Sequence, residues 1–171
     1  MNMHPIHHAG WLPEDMESLT RTASFKECGL LALSIVRRHG GPLHTVSGPI
    51  TTGGVGSIKG NMAVLRGVIE HLASSERLTM FSQIPFEEKL RQLWDEWNIA
   101  NPDGGYCMAL LEDFYEPVFS SGYIKTLHFI HGHESSQGAR WEHEGCSRWG
   151  IERRYLPAEL SQEMLRRYVP V

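Results

Sequence analysis

Residues 127–148 read LHFIHGHESSQGARWEHEGCSR. Leu127-His128-Phe129-Ile130 is a short, mostly apolar run, the pattern of a buried strand. Residues 131–137 are polar and carry a glycine, so they form a loop. From Gly138 the spacing turns helical and runs to Trp149. A loop that leaves a strand and enters a helix N-terminus is where an open α/β sheet binds ligands. Ser136, Gln137 and Gly138 stand at that entrance, and Glu142 follows about one turn in.

Working outward, the C-terminal side supplies a last strand over 151–156 and a last helix over 158–168, with Pro157 near its start. On the N-terminal side, residues 43–50 (LHTVSGPI) read as the first strand, followed by the glycine-rich loop TTGGVGSIKGN. Residues 60–74 form an amphipathic helix, with Met62, Leu65, Val68, Ile69 and Leu72 on one face and Asn61 near its start. A strand over 78–82 follows, then a helix over 86–97 with Pro85 near its start, and a loop over 98–105. A helix over 106–119 is ended or kinked by Pro117. Before the first strand, residues 14–39 are helical with a break at Ser24-Phe25, and Gly40-Gly41 stop them. The order after this N-terminal helix is β-α-β-α-α-β-α-β-α. Such alternation predicts an α/β fold: a parallel sheet of four to five strands, helices on both faces, and an extra N-terminal helix. The expected organisation is a loose N-terminal arm over 1–13 and a single domain over 14–171, with 14–40 as a helical addition packed on the sheet.

The chain has 171 residues, 41% hydrophobic and 21% charged, as in an ordinary globular protein. A net charge of −4 argues against a nucleic-acid polymer as partner. No apolar run approaches the roughly 20 residues of a membrane helix, and the His-rich start lacks the apolar core of a signal peptide. A cytoplasmic location is expected, with Cys28, Cys107 and Cys146 reduced.

Parallel-sheet logic gathers the loops 47–60, 82–86 and 131–138 at the carboxyl ends of the strands. An ionised Glu142, favoured by the helix dipole, can attack an electrophilic carbon or hold a substrate hydroxyl. Asp113 or a neighbouring acid can supply a second carboxyl group, the pairing used to break glycosidic bonds. The glycine-rich loop is neither a Walker A loop nor GxGxxG, because Lys59 is followed by Gly60. His128, His131, His133 and His143 straddle a strand end, and alternation sends their rings apart, so no metal site is expected. His133 reads instead as a pocket wall.

In FIHGHESSQGARWEHEGCSRWGIERRY, the run from Phe129 to about Arg153, most strongly Glu134 to Glu142, resembles "LLPGWEKSRGARLEHALAEALGIPV", which occurs in small members of the nucleoside 2-deoxyribosyltransferase-like superfamily. Ser47-Gly48-Pro49-Ile50 is similar to that family's first-strand "AGPM", and Asn61 to an Asn that often follows it. The resemblance covers about two thirds of the chain, from Leu43 onward. It implies a flavodoxin/Rossmann-like sheet and a pocket for a nucleoside or nucleoside 5′-monophosphate. It implies cleavage or transfer at the N-glycosidic bond without a cofactor, and a homodimer or higher oligomer. Glu142 takes the nucleophile's position. Ser136 and Gly138 take positions that bind a 5′-phosphate. Gln83, His133 and Arg140 complete the expected substrate contacts with Ser47, Gly48, Pro49, Ile50 and Asn61. The family's upstream acid falls, by ungapped counting, on Pro117; Asp113 is the choice one turn earlier, with Glu112 and Glu116 as alternatives. Two departures stand out. No aromatic hydroxyl matches near Gly48, and His133 replaces the usual Trp. A catalytically silent nucleotide-binding module of the same fold is the alternative reading.

Overall fold

The structure, a computed structural model, describes residues 10–168. The chain runs through α1 Pro13–Arg21, α2 Phe25–His39, β1 Leu43–Ser47, α3 Ile58–Ser74, α4 Glu87–Ala100, α5 Glu116–Phe119, β2 Ile124–Phe129, α6 Gln137–Trp149, β3 Glu152–Tyr155 and α7 Ala158–Tyr168. A π-helical turn, Leu110–Tyr115, leads into α5, and 3-10 turns stand at Ile84–Phe86 and His133–Ser135. These elements gather into two compact units, residues 42–82 with 124–168, and residues 10–41 with 83–123.

The first unit is α/β. Its three strands are parallel in the order β1-β2-β3. Four to five strands were expected. The segment at 78–82 reaches β1 only through a single bridge between His44 and Met80. The reason is local. Arg77 takes a left-handed φ of 55°, and the Leu78 N–H turns back to the Leu72 carbonyl. The chain therefore comes into register only between Thr79, whose carbonyl accepts from His44 N–H, and Phe81, whose N–H donates to the His44 carbonyl. β1 stops at Ser47, short of the expected Ile50, because Pro49 has no N–H to offer a ladder. β2 starts earlier than expected, at Ile124, where Ile124 and Thr126 turn inward and Lys125 outward.

α3 is capped by Ser57, whose hydroxyl accepts from the Gly60 N–H, rather than opening at Gly60. Its buried face carries Val64, Leu65, Val68, Ile69 and Leu72. α7 closes on α3 at Gly67, where an added Cβ would lie 2.7 Å from the sulfur of Met164. Glycine at 67 is what lets the two helices approach this closely.

The second unit is helical. The expected helix over 14–39 is two helices. Ser24 caps α2 by accepting from Glu27 N–H, and the Glu27 carboxylate accepts from Ala23 N–H, a reciprocal box that resets the chain direction. Gly40, at φ 71°, ends α2 as the sequence indicates. Arg38 binds the Asp15 carboxylate of α1 at 2.7 Å. Of the expected arm, residues 1–9 lie outside the described residues. Its end is tied down: the Gly10 carbonyl accepts from Arg38, the Leu12 N–H donates to Asp15, and Pro13 opens α1. Trp11, Phe86 and Phe114 form a chain of rings 5.1 and 5.0 Å apart. The helix expected over 106–119 changes pitch at the π-turn. There Pro117 has no N–H for the Asp113 carbonyl four residues back. No helix among the described residues is long and apolar enough to cross a membrane.

Candidate functional site

The strand register places Ser47, Phe129 and Tyr155 in one row across the carboxyl end of the sheet. α6 lies along this row. Its cap is Ser136, whose hydroxyl accepts from the Ala139 N–H and whose carbonyl accepts from the Arg140 N–H. Glu142 is the sixth residue of α6, buried at 7% exposure, and its carboxyl oxygen accepts a short hydrogen bond from the Ser47 hydroxyl. Burial pushes the Glu142 carboxyl up to about 7, against the pull of the Ser47 hydrogen bond. The expectation that the helix dipole favours an ionised carboxylate is thus reversed. The dipole's reach ends within the first turn, Glu142 stands in the second, and desolvation wins.

The other expected residues take varied places. Gly48 is pressed on Ile130, whose Cδ1 would lie 2.8 Å from an added Cβ, so a larger residue there would have to displace that side chain. Pro49 lines a hollow described below. Ile50 contributes its carbonyl, which accepts from Asn61. Asn61 is not a free pocket group. Its amide donates to the Ile50 and Gly53 carbonyls at 3.0 and 3.2 Å, and its oxygen accepts from Val55 N–H at 2.9 Å. It staples the glycine-rich loop, and the Ser135 hydroxyl adds a further bond from the Gly54 N–H. Substituting Asn61 with alanine is expected to raise hydrogen exchange of the Gly54 and Val55 amides at least tenfold, as about 1.4 kcal/mol or more of local closure is lost. Unchanged exchange would show that the loop holds itself.

His133 is a ring in a stack rather than an open wall. It lies 4.8 Å from Phe129 and 5.4 Å from His143, and burial lowers its pKa despite the neighbouring Glu134. Arg140 is exposed and donates to the Glu134 carbonyl, which fixes the 133–135 turn. Gly138 is buried in the first turn of α6. Gln83 and Asp113 belong to the helical unit. Gln83 is buried and its carbonyl accepts from the Phe86 N–H. Asp113 and Glu112 are exposed on the π-turn, and Glu116 is half-buried. Within the α/β unit the structure brings Glu142 together with Ser47 alone among the expected groups.

Three features escaped the sequence reading. Tyr155, 61% exposed, meets the His143 ring nitrogen at 2.7 Å. His44 Nδ1 and His128 Nε2, on neighbouring strands, lie 3.0 Å apart. Burial lowers the pKa of both rings, that of His128 to about 4, and each strand's alternation would have placed them on one face. Third, a small hollow opens where β1 and β2 end, walled by Pro49, Val64 and Ile130, with Val55, Asn61, His131 and Ser161 around it. Ser161 has no sequence signature. Among the described residues no three His, Cys, Asp or Glu side chains converge as a metal site would require.

No family model, no curated protein and no solved structure matches the chain.

Proposed function

We propose that this protein cleaves or transfers the N-glycosidic bond of a nucleoside or nucleoside 5′-monophosphate, with Glu142 as nucleophile. The observation that carries the reading is the buried Glu142 carboxyl, held by the Ser47 hydroxyl at the carboxyl end of β1. It sits in the SQGARWE stretch that resembles the nucleoside 2-deoxyribosyltransferase-like superfamily, whose sheet is flavodoxin-like. A carboxylate in a dry site, oriented by one donor, is a competent attacking group. Its oxygen forms a bond to C1′ while the C1′–N bond breaks, and that electron pair leaves with the base, which takes up a proton from solvent. Water, giving a proton back to solvent, or a second base then attacks C1′, breaks the C1′–O bond and frees the carboxylate. The displacement as written uses no cofactor. Its substrates are cytoplasmic metabolites, and the resemblance adds an oligomer, which light scattering would read.

The test is chromatographic. Purified protein is mixed with a panel of nucleosides and 5′-monophosphates, and free base is measured across pH. The nucleophile must be ionised, so kcat/KM should rise with pH and level off above about 7, where Glu142 releases its proton. Absence of base from every substrate would discard the chemistry. A pH profile falling through 7 would instead make Glu142 a proton donor.

Burial of a half-protonated Glu142 also favours a second reading, a nucleotide-binding module without turnover. Thermal stabilisation by a nucleotide with no base release would select it.

A further inference from the structure

Ser161 lies on α7, and its buried hydroxyl finds no hydrogen-bond partner among the described residues. The same side chain lines the hollow at the ends of β1 and β2. A buried hydroxyl left unsatisfied opposes folding, and a group that enters the hollow can bond it. The walls around it are chiefly apolar, through Pro49, Val64 and Ile130, and no lysine, arginine or carboxylate lines the hollow. Apolar walls with a hydroxyl and the His131 imidazole at the edge suit an uncharged planar ring with a hydrogen-bonding edge. The hollow opens at the carboxyl end of the sheet, where Pro49 is two residues beyond Ser47 and Ile130 follows Phe129.

We propose that this hollow is the subsite for the base of the nucleoside, with Ser161 as a specificity-determining contact. The proposal rests on the N-glycosidic reading of Glu142 and adds the base's seat to it. The hollow is a half-open space of about 30 Å³, room for about two waters and too small for a base. A base enters only when a wall moves. Val55 lines it from the exposed loop held by Asn61 and Ser135, and is the wall best placed to move. The loop's glycines at 53, 54 and 56 have φ of 72°, 62° and 83°, so that wall is built of residues that tolerate rearrangement.

The experiment titrates adenine, guanine, hypoxanthine, cytosine and uracil into the full chain by calorimetry, using wild type, Ser161→Ala and Val55→Phe. One base should bind the wild type. Ser161→Ala should weaken it about threefold to tenfold and narrow the preference over the other bases. Val55→Phe, at an exposed position, should weaken every base by filling the entrance. Ligand-free Ser161→Ala should melt no lower than wild type, because it removes a hydroxyl that nothing in the fold satisfies. The proposal is overturned if no base binds, if either variant leaves affinity unchanged, or if Ser161→Ala melts early. Base release from nucleosides is scored separately. Turnover with an unaltered KM in Ser161→Ala removes the subsite and leaves Glu142 as nucleophile. Base binding weakened by Ser161→Ala, without any turnover in the wild type, keeps the subsite and removes the chemistry.

Discussion

Replacing Glu142 with glutamine should abolish base release, by at least about 10³-fold in kcat, and stabilise the fold at neutral pH. The two effects share one cause. The folded carboxyl titrates at about 7 against an ordinary 4.5, because burial disfavours its charge. Between those values the unfolded chain has released the proton and the folded chain still holds it. Stability is therefore lost as pH rises from 4.5 to 7, and the loss approaches about 3 kcal/mol above pH 7. Glutamine has the same shape and no proton to lose. The stability difference between wild type and Glu142→Gln should shift by about 3 kcal/mol in favour of the variant between pH 4 and pH 8. Urea unfolding at both pH values measures it.

The wild type alone would hide this slope. His128 titrates at about 4 in the fold against an ordinary 6.5, through burial and then the neighbouring His44 and Arg154. Its contribution has the opposite sign: full above pH 6.5, and lost as pH falls toward 4. The two windows overlap and largely cancel. Comparison of the pair of proteins isolates the carboxyl. Equal stability of the two at pH 8 and pH 4 would mean that Glu142 is solvated in solution.

Gly29→Ala is the second large effect, and it lies in the helical unit. An added Cβ at Gly29 would stand 2.1 Å from the backbone carbonyl of Asp113 and 3.1 Å from the Phe114 Cα. Helix propensity alone would reward alanine in the middle of α2 by about 1 kcal/mol. The overlap is with backbone of the π-turn, which cannot rotate away as a side chain does. Overpacking of this kind costs about 1–3 kcal/mol or more, so the net change should be a loss of about 2 kcal/mol. Gly145→Ala is the control. Its Cβ would meet the Trp149 ring at 2.2 Å, but Trp149 ends α6 half-buried and can swing aside. If Gly29→Ala melts no lower than Gly145→Ala, α2 and the π-turn are not packed as described.

Gly29 and Gly145 look alike in the sequence, each a glycine in the interior of a helix, and the sequence does not tell them apart. Local signals carried well: Gly40 as a stop, Ser136 at the helix entrance, and the parallel alternation. What depended on three-dimensional competition did not carry. The segment at 78–82 has the composition of a strand, yet a left-handed Arg77 leaves it one rung. The dipole at Glu142 was legible, but the burial that outweighs it depends on β1, almost a hundred residues away. Asn61 looked like a ligand contact through its resemblance to an Asn that often follows the family's first strand, and its three bonds to the glycine-rich loop appear only once the loop is folded. Ser161 carries no motif at all.

The bond between His44 and His128 crosses from one strand to the next with a single proton between two nitrogens. One ring must donate and the other accept. Losing the His44 imidazole strands a buried nitrogen on His128, at a cost of about 1–3 kcal/mol, whereas replacing both with apolar groups of similar shape is nearly neutral. Positions 44 and 128 are thus one unit of inheritance. Over a lineage they should change together or stay as they are, and a chain carrying His128 without His44 should be a short-lived intermediate.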